Sequence, residues 1–310
     1  MFGSLFDKVT GLFDKRFVLA LLLPAFAFAA GCGALAAAMT GWHTTTAWWA
    51  HLGAGRQVTA GVAAAAAVVL LATIAGTQVV AMTRLLEGYW GTRWAGRTLG
   101  RLGRQRQASR RTKMASDTSE LGYLNSYLAF PPEPSPVLPT RLGNALRAAE
   151  AYPGDEERWG LDAAFWWPRL YLVMPDSARA QVDDARSALD QLTVLSVLSG
   201  SFAVVSLGLS CAGLNLAAGL GCAAGALLLS RVTYLAAVTS ANVLGELVRS
   251  CYDLYRYDLL ARLGWPAPAT LEQERQLWAA LGQQLYRRGT SRVGEALLNA
   301  PRQPPNSRHP

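Results

Sequence analysis

Residues 191–245 read QLTVLSVLSGSFAVVSLGLSCAGLNLAAGLGCAAGALLLSRVTYLAAVTSANVLG, a run with no acidic residue and one base, Arg231. As one helix it would be roughly 80 Å long, against a hydrocarbon core about 30 Å thick. A single span cannot use that length, whereas two antiparallel spans can. A second such run lies between Arg16 and Arg84 and is interrupted only by Arg56. The fold class expected is an all-α membrane protein: two transmembrane helical hairpins, four spans in all, with a helical cytosolic region.

Composition agrees. Of 310 residues, 51% are hydrophobic and only 16% charged, where a soluble domain carries about 25% charged residues. Four lipid-facing helices would account for the deficit. The net charge of +8 is local: from Arg84 to Lys113 there are nine bases against one acid, Glu87. The cysteines, Cys32, Cys211, Cys222 and Cys251, form no CxxC pair and suit small apolar packing.

Residues 1–16 place Phe2, Leu5, Phe6, Val9, Leu12 and Phe13 at helical spacing, which predicts an amphipathic helix in the membrane interface. Residues 17–83 form the first hairpin, with spans over 17–39 and 58–83 and a polar loop carrying Trp42, Trp48 and Trp49 between them. A lipoprotein-type signal ending at Cys32 is the competing reading, but the chain stays apolar beyond it. Residues 84–190 form a cytosolic helical region. Its first part, through Lys113, reads as a possible continuation of the second span. The prolines of FPPEPSPVLPT (130–140) demand an extended loop, Thr140 can cap a helix over 141–151, and Pro168 separates two short helical turns. Pro175-Asp176-Ser177 opens a helix that runs straight into the third span. The second hairpin is 191–242, with Asn215 and Gly219 in its turn. Residues 243–298 are cytosolic C-terminal helices, the fourth span continuing to Gly264, and 299–310 read as a disordered tail.

Orientation follows from the bases. Three precede the first span, 15 lie in the central region and nine in the C-terminal region, while the first loop has only Arg56. The positive-inside rule puts both termini in the cytosol of a bacterial plasma-membrane protein. A segmentation with one span over 201–229 would instead send the C-terminus and its bases outside.

Two groups of residues are candidate sites. Arg231 falls near the middle of the fourth span, where a charge costs about 2.5–3.5 kcal/mol on insertion scales. It either lines a polar path or is neutralised by hydroxyls and carbonyls of packed helices. Arg93, Arg97, Arg101 and Arg104 share one helix face beside Trp90 and Trp94 and suit anionic lipid headgroups. Glu246 with Arg249 and Asp253, and Asp253 with Arg256 and Tyr257, read as surface pairs along the helix after the fourth span. Glu150, Asp155, Glu156 and Glu157 read as a solvated turn. No catalytic, cofactor or metal site is expected: the three histidines, His43, His51 and His309, are scattered, and no nucleophile elbow, HExxH or phosphate loop is present. No nucleic-acid motif accompanies the basic run.

The phrases LLEGYW (85–90), LPTRLGNALRAAE (138–150), WPRLYLVMPD (167–176) and SCYDLYRYDLLARLGW (250–265) are similar to conserved-hypothetical four-helix membrane proteins of actinobacteria. That resemblance implies an integral membrane protein and no particular activity. The expected function is non-enzymatic: a cytosol-facing helical platform for a protein partner or for its own copies. The alternative is an oligomeric anion-permeable channel or membrane-permeabilising effector.

Overall fold

The computed structural model describes residues 18–91, 94–132, 135–155, 157–211 and 216–287. It is 85% helical, and no strand occurs among the described residues. The helices are α1 (Leu23–Thr40, after a π-turn at Val18–Leu22), α2 (Trp42–His51), α3 (Ala54–Thr77), α4 (Val79–Glu87), α5 (Trp94–Ala115), α6 (Glu120–Ala129), α7 (Arg141–Ala151), α8 (Ala163–Val173), α9 (Asp176–Cys211), α10 (Leu216–Arg262) and α11 (Leu271–Gly282). Four of them, carrying Ala20–Ala38, Ala54–Thr77, Asp176–Ser210 and Ala217–Arg262, are long and apolar enough to cross a membrane. The interfacial helix expected over 1–16, the tail over 299–310 and Arg93, Glu156, Asn215 and His309 lie outside the described residues.

The chain divides into two units: residues 1–86 with 186–240, and residues 87–185 with 241–310. In the first, Ala75 of α3 and Val194 and Leu198 of α9 form a buried cluster, against which Leu21, Phe28, Val79 and Met82 pack. Small and hydroxylated residues let helices approach closely, as in packing between apolar helices. Ser196 Oγ donates to the Ser230 carbonyl at 3.0 Å, and Ser230 Oγ donates to the Ser196 carbonyl at 2.9 Å. Gly219 lies against Ser210, where a Cβ would meet the hydroxyl. α10 begins at Leu216, so Gly219 lies inside it rather than in a turn, a correction to the sequence expectation.

In the second unit a cap and a clamp hold the proline loop. Thr140 Oγ1 accepts from the Gly143 amide at 3.0 Å and donates to the Glu87 carbonyl at 2.8 Å. Asn144, fully buried, accepts from the Leu138 amide and donates to the carbonyls of Leu138 and Thr140, at 2.7–2.9 Å. A buried amide is kept only when its bonds are made, so Asn144 fixes the loop's return. The core behind it includes Trp166 and Trp278, edge to face at 4.9 Å.

Three further expectations are corrected. The segment after the second candidate span is not one helix: α4 ends at Glu87, and Gly88 and Gly91 take φ of +98° and +76°, a left-handed stop that glycine tolerates. The segment 42–51 is helical, with Thr45 and Thr46 hydroxyls folded onto the carbonyls of Gly41 and Trp42. Pro168 sits inside α8 without dividing it. Trp166 and Leu170, both buried, are anchored on either side of the proline, and Arg169 Nη1 donates to the Phe165 carbonyl at 2.7 Å. Packing there outweighs the one backbone bond that proline removes.

Gly88 tests the junction. A Cβ there would clash with Pro139 Cγ, besides requiring a left-handed non-glycine residue; Gly160, at φ +65°, has nothing within 4 Å. Gly160→Ala should cost about 1 kcal/mol from strain alone. Gly88→Ala should cost about 2 kcal/mol or more, read as a larger drop in Tm of the purified protein in detergent. Equal drops would mean that Pro139 yields freely.

Candidate functional site

A cleft of about 410 Å³ opens in the second unit, within the size range of small-ligand sites. α6 contributes Tyr123, Ser126 and Tyr127; the loop after it contributes Phe130, Pro131 and Pro132; Arg111 comes from α5 and Ala148 from α7; Tyr152, Asp155, Glu157 and Arg158 come from the turn after α7. Ser119 starts α6 by accepting from the Gly122 amide at 3.0 Å, which fixes where the tyrosines fall. Arg111 Nη2 donates to the Pro131 carbonyl at 3.1 Å and so sets the proline wall against α5.

The wall is aromatic and braced by guanidinium groups. The Tyr127 and Tyr152 rings meet edge to face at 6.2 Å, and Tyr152 meets Trp159 in the same way at 5.8 Å. Arg158 lies 3.9 Å over the Tyr152 ring and donates to the Tyr152 hydroxyl at 2.8 Å. That hydroxyl donates onward to the Asp253 carboxylate at 2.9 Å. Arg249, 1% exposed, lies 4.4 Å over Tyr127 and donates to the Tyr127 carbonyl at 3.3 Å. Such contacts contribute about 0.5–2 kcal/mol each, most where water is excluded. Burial, and then the bond to Asp253, push the Tyr152 phenol well above its ordinary pKa; burial raises Tyr127 also, against the lowering effect of Arg249.

The two rim carboxylates stand apart from this bracing. Asp155 accepts the Glu157 amide at 3.1 Å, and neither Asp155 nor Glu157 forms an ion pair among the described residues. Glu150 pairs with Arg147 at 3.1 Å instead. Four acids in one turn were visible in the sequence, but not that two of them edge an aromatic cleft. Asp253 also departs from expectation: it binds Tyr152, while Arg256 and Tyr257 turn to Glu274 at 3.0 Å. Of the expected pairs, Glu246 with Arg249 forms, at 3.2 Å, and Arg249 is buried rather than on the surface.

Arg97, Arg101 and Arg104 are exposed on one side of α5, beside Trp94, which is 77% exposed. Arg231 is exposed on α10, its guanidinium 5.7 Å from the Tyr234 ring. Among the described residues no three His, Cys, Asp or Glu side chains cluster as metal ligands. No family model, curated protein or solved structure matches this chain.

Tyr152 gives a pH-dependent readout. Its folded pKa lies above the unfolded value of about 10. The unfolded chain therefore releases this proton first, and stability is lost as pH rises above about 10. Tyr152→Phe should lower stability by about 2 kcal/mol at pH 7, through loss of the bonds to Asp253 and Arg158. It should also make the fall in Tm between pH 9 and 11 shallower than in the wild type. An unchanged alkaline slope would show that Tyr152 is not held protonated.

Proposed function

We propose that this chain is a multi-pass integral protein of the bacterial plasma membrane, and that it acts without catalysis as a cytosol-facing helical docking platform. The observation that carries this reading is the aromatic, proline-walled cleft of the second unit. Its buried ionisable groups are committed to packing: Glu274 accepts from Arg256, Tyr257 and Trp278, and Arg249 is closed over by Tyr127 and Tyr152. What remains open to solvent is a mixed surface: the Tyr123 ring, the half-exposed Tyr127, Arg111 and Arg158, and the carboxylates of Asp155 and Glu157.

Membrane insertion as two hairpins is favoured by the first unit's outer surface. Only 11% of the apolar stretch Ala54–Thr77 is buried, and Phe26, Val58, Val62, Leu70, Val204, Leu227 and Leu228 are all exposed. So much contiguous apolar surface is rare on a soluble protein. The basic residues favour both termini and the second unit on the cytosolic side. Arg97, Arg101 and Arg104, joined by Arg93 in the sequence, suit anionic headgroups at about 1 kcal/mol per residue.

Cysteine labelling tests the topology in a background without the native cysteines. Ala50→Cys should react with a membrane-impermeant maleimide added to intact cells. Glu120→Cys and Ala300→Cys should react only after lysis. Labelling of either from outside would overturn the cytosolic platform.

The second reading, an oligomeric anion channel, rests on Arg231, exposed near the middle of an otherwise uncharged apolar stretch. In reconstituted bilayers that reading requires an anion conductance which Arg231→Ala changes while leaving Tm nearly constant. A wild-type protein that conducts nothing leaves the platform alone.

A further inference from the structure

We propose that Arg231 holds the phosphate of one anionic phospholipid at the cytosolic boundary of the bilayer. This rests on the membrane insertion proposed above and goes beyond the docking platform; it also gives Arg231 a different role from lining a pore. Arg231 is exposed on α10, so its charge faces whatever surrounds that helix. No carboxylate of the apolar stretches answers it, because residues 17–83 and 191–245 contain no acid. Asp190, which precedes the second stretch, pairs with Arg186 at 3.3 Å. A guanidinium in a bilayer without a protein partner is drawn to the anionic groups that the leaflet boundary supplies.

The depth of Arg231 follows from helix register. α9 and α10 run antiparallel, since Ser196 meets Ser230 and Ser210 meets Gly219. Asp190 marks where the charged part of α9 gives way to the apolar part. It precedes Ser196 by six residues, about 9 Å along the axis. Arg231 lies one residue beyond Ser230 in the same direction, which leaves its Cα about 7–8 Å inside the level of Asp190. A long side chain bridges that depth with its stem among lipid tails and its head at the boundary. The guanidinium lies 5.7 Å from the ring of Tyr234. Tyr234 is one turn nearer the boundary, and tyrosine is a residue type that sits at headgroup level.

Deeper than Arg231 the same face stays apolar. Leu227, Ala224 and Leu220 precede it by four, seven and eleven residues, the spacing of one helix face. All three are exposed. A lipid whose phosphate meets Arg231 therefore lays its chains along these residues. The arginines of α5 differ: Arg97, Arg101 and Arg104 stand together on one exposed side and gather headgroups by summed charge. Arg231 is a single donor above an apolar strip, and it takes one lipid.

The test uses the full chain in detergent, stripped of lipid, with Arg97→Gln, Arg101→Gln and Arg104→Gln removing the other basic face. Dioctanoyl-phosphatidylglycerol is titrated in and Tm is read, since a ligand of the folded state raises Tm as its site fills. This parent should show a saturable rise. Dioctanoyl-phosphatidylcholine and inorganic phosphate should give none at the same concentrations. Adding Arg231→Ala should raise the half-saturating concentration about fivefold or more, the weight of one base near a charged surface, and leave the lipid-free Tm unchanged. Arg231→Lys should keep most of the affinity. Equal half-saturation of Arg231→Ala and its parent, or an equal response to inorganic phosphate, overturns the proposal. So does an anion conductance in reconstituted bilayers that Arg231→Ala abolishes, because the arginine then lines a path. The platform reading fails separately, through labelling of Glu120→Cys from outside intact cells. The titration in detergent is blind to orientation, so the two failures are told apart.

Discussion

The Glu274 carboxylate, 3% exposed, is the point on which the second unit depends. Arg256 and Tyr257 of α10 and Trp278 of its own helix all donate to it. Arg256 lies 4.4 Å over Trp159, Trp159 stands against Tyr152, and Tyr152 stands against Tyr127. One ladder of charge and ring contacts thus runs from a buried ion pair to the cleft wall. Removing one member of such a pair costs about 3–5 kcal/mol, because the other charge is left buried without a partner. The ladder contributes geometry more than net stability. It holds α10, α11 and the turn at 155–161 in a single arrangement, and the ring faces of the cleft follow from it.

The first unit is held by different physics. From Gln191 to Ser240 there is no acid at all, so ion pairs within that stretch are unavailable. Close approach replaces them. Alanines at 203, 223, 226 and 237 are buried, as are Thr193, Ser196, Ser199, Ser206, Ser210 and Thr233. Ser206, Ser210 and Thr233 donate to carbonyls one turn back, those of Phe202, Ser206 and Leu229; Ser196 and Ser230 instead bridge two helices. A hydroxyl that is satisfied this way can sit at a helix interface without a charge partner, and it leaves little bulk between the backbones.

How much of this could be read from the sequence depends on the range of each signal. The four long apolar helices were legible, since a run without charges is a local property. So was the Thr140 cap, a three-residue motif. Pro168 was misread because its backbone penalty is local, whereas the burial of Trp166 and Leu170 that overrides it is tertiary. The helix at 42–51 was misread because its threonines and tryptophans suggested an interface loop. The partners of Asp253 were misread for another reason. Spacing along one helix predicts Arg256 and Tyr257 as neighbours, yet Tyr152 lies 101 positions away in sequence. The cleft was invisible for the same cause: its wall joins α5, α6, α7 and two loops, and none of these carries a motif alone.

α9 and α10 belong to both units, and each changes character along its length. In α10 the stretch whose one charge is Arg231 ends at Glu246, and within ten residues beyond it come Arg249, Asp253 and Arg256. At 47 residues this helix is roughly 70 Å long, far more than a hydrocarbon layer needs. The surplus is where Arg249 and Arg256 meet the aromatic rings. Helix continuity therefore has a chemical consequence. The helix begins among alanines and serines and, further along, carries two guanidinium groups two turns apart, at Arg249 and Arg256. Arg249 lies against the rings of Tyr127 and Tyr152, and Arg256 against those of Trp159 and Tyr257.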